Sequence, residues 1–133
     1  MKSLNPTSLA FLLLILFAGA CTKEEAGMEE QLIGLWTLTG KTVDDVAVSL
    51  TDCEKLSTIE FQENNFCILY DACAEDSLNS GWSFKYDMLN IAELLPVAYY
   101  IDVITENSLV IKRNDITSEG KLQLTIQSYV KNP

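Results

Sequence analysis

The stretch "STIEFQENNFCILYD", residues 57–71, decides how the rest of the chain is read. Ile59 and Phe61 fall on one side of an extended chain, and Thr58, Glu60 and Gln62 on the other. That period of two is the mark of a half-buried strand. Glu63-Asn64-Asn65 interrupts it, and asparagine accepts the positive φ that tight hairpin turns demand. Alternation then resumes over Phe66–Asp71, with Phe66, Ile68 and Tyr70 on one face. Two short strands around a polar break predict an antiparallel hairpin, with a two-residue loop at Glu63-Asn64 or at Asn64-Asn65.

The same texture extends in both directions. Upstream, Gly34–Val43 forms the first strand. Downstream come Gly81–Tyr86, with Trp82, Phe84 and Tyr86 aligned, then Met88–Ile91 after a tight turn at Asp87. Ala98–Thr105, Leu109–Arg113 and Lys121–Val130 complete a set of eight strands. A short helix over Asp87–Leu95, capped by Asp87 and stopped before Pro96, is the alternative for the middle of this set. Most connections are short, which favours antiparallel neighbours. The expected fold is all-β: an eight-stranded up-and-down meander that can wrap into a barrel and so abolish its edges. No βαβ pattern, phosphate-cradling glycine loop or internal repeat is present.

The front of the chain has a different character. Lys2 precedes the hydrocarbon run Leu9–Phe17, which is shorter than the roughly 20 residues a permanent spanning helix needs. It has the length of a signal-peptide core, and small residues follow it. Ala18-Gly19-Ala20-Cys21 resembles a bacterial lipobox, although Ala18 stands where leucine is usual. The resemblance implies cleavage before Cys21 and acylation of its thiol, palmitate-like chains then holding the protein in a membrane. The alternative is an ordinary secretory signal cut after Ala20. Thr22-Lys23-Glu24-Glu25 is similar to the surface-export signal of Bacteroidota lipoproteins, or is simply a solvated charge run. The expected organisation is a signal peptide at 1–20, an acidic flexible tether at 21–31 with a helical end as an option, and a folded domain at 32–131. The implied location is the outer membrane, facing the periplasm or the cell surface.

Composition narrows the functions available. All 19 acidic residues follow residue 20, whereas one of the nine basic residues, Lys2, precedes it. The mature chain of 113 residues therefore carries a formal charge of 8 − 19 = −11, which disfavours nucleic acid as a partner. The chain contains no histidine, so its commonest general base and transition-metal ligand are absent. No cofactor, metal site or catalytic residue is expected, and the protein is not read as an enzyme. Asp44-Asp45 and Glu75-Asp76 are adjacent pairs whose side chains diverge on a strand, so they read as solvated loop charge. Asp102, in "AYYIDVIT", is surface if Tyr99, Ile101 and Val103 are core, and interior in the opposite phase.

Gly34-Leu35-Trp36 on the first strand resembles the lipocalin G-x-W. With "DCEKLSTIEF", "CAEDSLNSGWSF" and "NSLVIKRN", the order of motifs over residues 32–131 is similar to that of small lipocalin-like domains on Bacteroidota lipoproteins. Lipocalins pack an arginine of the final strand over that first tryptophan. No arginine lies in the final strand here, and Arg113 is one strand early, so a partly open barrel stands beside the closed one.

Cys53, Cys67 and Cys73 remain once Cys21 is assigned to lipid. Either hairpin register brings Cys53 and Cys73 to one end of the hairpin and leaves Cys67 mid-strand. A Cys53–Cys73 disulfide follows, in agreement with the family pattern, and an oxidising compartment would preserve it. Three buried free thiols and a three-cysteine metal site are the alternatives. Trp36, Phe61, Tyr70, Trp82 and Phe84 either line a ligand cavity or fill the barrel as core. Two functions therefore stand at this stage. One is a membrane-anchored module that binds a small apolar or amphipathic molecule, or a glycan fragment. The other is a protein-interaction or inhibitor module whose barrel is filled and whose loops do the binding.

Overall fold

The computed structural model describes residues 22–94 and 98–133. Residues 1–20, read above as a signal peptide, and Cys21 lie outside the described residues. Helix α1 (Thr22–Leu32) leads into β1 (Gly34–Val43) and β2 (Val46–Val48). Next come β3 (Thr58–Phe61), β4 (Phe66–Asp71), β5 (Asp76–Lys85) and β6 (Met88–Ile91). The last three strands are β7 (Tyr99–Ile104), β8 (Ser108–Ile116) and β9 (Leu122–Lys131). Short 3-10 turns occupy Glu54–Leu56 and Ala92–Leu94.

Every pairing is antiparallel, and β1 pairs with β9 to close the sheet. The result is a closed eight-stranded barrel of β1 and β3–β9, with β2 as an added strand on the far half of β1. This is the lipocalin-like fold. The partly open alternative is corrected by the continuous β1–β9 register, from Trp36 opposite Lys131 to Val43 opposite Thr125.

Three local features differ from the sequence reading. The first is the β3–β4 hairpin, which has a three-residue loop. Gln62 N–H donates to Phe66 O at 2.8 Å, and Asn65 sits at φ 60°. That is a turn followed by one left-handed residue, a common three-residue solution. Phe61 thereby pairs with Cys67, and both point inward and are buried. Second, Asp44 and Asp45 are not idle loop charge. Both have positive φ, 50° and 64°, and form the tight turn that creates β2. Third, Asp102 sits in a bulge on β7. The bulge shifts the phase, so Tyr99 and Ile101 face the core, Val103 is exposed, and Ile104 returns to the core. Asp102 itself is outside, paired with Lys112.

The segment read as a tether with a helical option is helical over Thr22–Leu32. Its composition is rich in strong helix formers, and tertiary packing secures its end. Leu32 is fully buried, and Met28 and Ile33 pack against the core. Trp36 Nε1–H donates to Leu32 O at 2.7 Å, satisfying a carbonyl at the helix end. Above the indole lies Lys131, its Nζ 5.1 Å from the ring centroid and donating to Gln31 O at 3.0 Å. A lysine of the last strand thus occupies the role for which an arginine was sought. Gly34 makes this possible. Its φ is +133°, and a Cβ there would lie 2.5 Å from Lys131 Cε.

Candidate functional site

The barrel interior is divided. Near α1 it is filled: Trp36, Phe61, Cys67, Trp82, Phe84, Leu89 and Leu109 are all buried there with Leu32. Phe61 and Trp82 meet edge to face, centroids 5.2 Å apart and planes at 72°. Farther along, the interior holds a cavity of about 440 Å³. Leu38, Ile59, Leu69, Leu78, Ile91 and Ile111 supply its apolar walls. This size and lining suit a small molecule.

The polar part of the wall is built by strand register. Arg113 of β8 pairs with Tyr99 of β7 and with Thr125 of β9. Directly opposed residues share a face, so these three side chains meet inside. Along β8, Leu109, Ile111, Arg113 and Asp115 fall in one phase, so the inner face passes from apolar to charged toward the end of the strand. Arg113 Nε–H donates to Asp115 Oδ2 at 2.9 Å, and an Nη1–H donates to Tyr99 Oη at 3.3 Å. Thr125 Oγ1–H donates to the same Asp115 oxygen at 3.1 Å. Burial works against the Arg113 charge, but Tyr99 and Asp115 outweigh it and raise the guanidinium pKa. Tyr129 also lines the cavity. Burial pushes its phenol well up, the nearby Tyr99 adding and Arg113 opposing, so the hydroxyl stays neutral.

The mouth is acidic and pinned. Glu54, Asp71 and Asp76 line it, from the 3-10 turn and the β4–β5 turn. Glu54 accepts from Thr51 N–H at 2.8 Å and lies 3.7 Å from Lys41 Nζ. The Thr51 backbone bond is the main reason its carboxyl pKa is lowered. The Cys53–Cys73 disulfide, with Cα atoms 5.0 Å apart, joins these two rim segments. The pairing read from the sequence is therefore present, and Cys67 is a buried free thiol whose pKa burial pushes up to about 11.

Of the five aromatics named from the sequence as ligand-lining, Tyr70 is on the cavity wall. Trp36, Phe61 and Phe84 pack in the filled part instead, because their positions on β1, β3 and β5 lie toward the α1 end. Trp82 borders a separate cleft of about 560 Å³ between α1 and the β3–β4 loop, with Glu29, Glu30, Ile33, Glu63 and Asn65. The sequence reading missed the Arg113–Tyr99–Tyr129 group. The signal was there in the phase of "SLVIKRNDI", where Arg113 follows Leu109 and Ile111 at intervals of two.

No protein-family model matches this chain, and no curated protein sequence does. Solved structures do. Bovine odorant binding protein in complex with its natural ligand aligns with a TM-score of 0.50 at 9% identity, covering 77% of this chain and 72% of that one. The same bovine protein with a selenium-containing odorant aligns with a TM-score of 0.51 at 10% identity, covering 79% and 73%. At these identities the likeness is one of fold, and it agrees with the closed antiparallel barrel described above.

Proposed function

We propose that this protein is a non-enzymatic binding module, anchored to a membrane outside the cytoplasm, that holds a small, largely apolar molecule inside its barrel. The observation that carries this reading is the cavity of about 440 Å³, walled by leucine and isoleucine side chains, with the Arg113–Tyr99–Tyr129 group on one wall and carboxylates at its mouth. Such a lining solvates an apolar body and orients it through a few hydrogen bonds. The bovine structures of the same fold hold a natural ligand and an odorant, which supports a carrier over a filled barrel acting through its loops. Anchorage rests on the Ala18-Gly19-Ala20-Cys21 motif. The disulfide at the rim suits an oxidising compartment beyond the inner membrane.

Two experiments test the proposal. N-phenylnaphthylamine, an apolar fluorophore, is expected to bind the purified protein saturably with a blue-shifted, enhanced emission. Ile111→Trp, which fills the cavity, is expected to abolish that signal. Absence of saturable binding refutes the carrier. For the address, Cys21→Ser is expected to move the protein from the membrane to the soluble fraction, and membrane retention refutes acylation.

A further inference from the structure

Among the described residues that line the cavity there is one cation, Arg113, and that cation is already matched. Its Nε–H is committed to Asp115, with the side chains 31% and 29% exposed. The other charged groups facing the space are the carboxylates Glu54, Asp71 and Asp76, with Lys41 next to Glu54 on its outer side. The remaining titratable groups, Tyr70, Tyr99 and Tyr129, are phenols. A ligand carboxylate would therefore enter past three like charges, to meet an arginine whose charge is compensated. Like charges in a poorly hydrated space disfavour ionisation of the incoming group.

Arg113 still has N–H groups beyond those bonded to Asp115 and Tyr99, since a guanidinium carries five donors. These suit a neutral acceptor such as a hydroxyl or a carbonyl oxygen. Resting on the carrier reading above, we infer that the ligand is a neutral amphiphile: an apolar chain or ring system bearing a hydroxyl, ester or amide, with free carboxylic acids discriminated against. At a liquid-like volume of about 30 Å³ per heavy atom, the cavity accommodates about fifteen such atoms. Dodecanol, dodecanamide and dodecanoate are thus probes of matched size.

The test measures displacement of N-phenylnaphthylamine by these three compounds. At pH 7, dodecanol and dodecanamide are expected to displace it at concentrations about tenfold lower than dodecanoate, corresponding to about one unit of pKa elevation in the bound acid. Lowering the pH to about 5, near the carboxylate range, is expected to narrow the gap as the acid protonates. Asp115→Asn leaves Arg113 uncompensated and is expected to bring dodecanoate level with or ahead of dodecanol. A wild-type-like far-ultraviolet circular dichroism spectrum and a cooperative thermal melt report that the variant is folded. Dodecanoate binding as well as or better than dodecanol in the wild-type protein overturns the inference while leaving the carrier intact. So does a ratio that Asp115→Asn does not move, or displacement by none of the three. Failure of the fluorophore itself to bind refutes the carrier reading and this inference with it.

Discussion

Gly34→Ala is expected to be among the most damaging single-methyl additions in this protein. The glycine stands at φ +133°, where L side chains are rarely found. Holding alanine in such a region costs about 1–3 kcal/mol. The new methyl would also lie 2.5 Å from Lys131 Cε, so the lysine stem must move. Moving it weakens the cation–π contact with Trp36, about 0.5–1 kcal/mol at a partly exposed site. The bond from Lys131 Nζ to Gln31 O goes with it, for about another 0.5–1.5 kcal/mol. The expected total is about 2–5 kcal/mol, a large share of an ordinary domain's stability of about 5–15 kcal/mol. Urea unfolding followed by tryptophan fluorescence measures it. Lys131→Ala separates the two contributions: in that background Gly34→Ala is expected to cost about 1–2.5 kcal/mol less, because the displaced side chain is already gone. An unfolding midpoint for Gly34→Ala within error of the wild type would refute the reasoning. An additive double mutant would remove Lys131 from it.

Replacing both Cys53 and Cys73 by serine is expected to cost about 3 kcal/mol, since the bond closes a loop with a sequence separation of 20. Thermal melts under non-reducing conditions check it, and an unchanged midpoint counts against a stabilising role. Phe61→Ala, at a residue 1% exposed, is expected to lose about 3–5 kcal/mol together with much of the near-ultraviolet circular dichroism of Trp82. Less than about 1 kcal/mol would mean that the filled half of the barrel collapses around the gap. Cys67 gives a pH signature. Its folded pKa is raised to about 11, above the unfolded value of about 8.5, so its contribution is complete below that lower value and is lost as pH rises toward 11. Stability is expected to fall by about 3 kcal/mol more over that interval than in Cys67→Ala, and parallel pH profiles would contradict the assignment.

The barrel was legible because alternation and short polar breaks are local signals, and each inner strand face repeats them. Its closure was harder to see. The sequence reading sought an arginine over Trp36, whereas Lys131 reaches the ring because Gly34 clears the space for its stem. Packing between residues so distant in the chain leaves no local mark. The bulge at Asp102 had no local signature either, since both phases of "AYYIDVIT" look buried and the strand uses one before the bulge and the other after it. Asp44-Asp45 is a case of two physical readings of one doublet. As charges they looked solvated, but their tolerance of left-handed backbone is what the turn uses. For the site, large aromatics were the natural candidates for a cavity wall. They pack instead toward the α1 end, and aliphatic residues border the space that remains. The two options weighed for the interior, a plug or a cup, turn out to be its two halves.

The junction between α1 and the barrel has a mechanical consequence. The helix delivers Leu32 and the Gln31 carbonyl to Trp36 and Lys131, at the sealed pole of the molecule. A force applied through the N-terminal segment would load that pole first, while the disulfide-braced rim stays unstressed. On the carrier reading proposed above, exchange of ligand through the opening would thereby be insulated from whatever tugs on the chain's leading end.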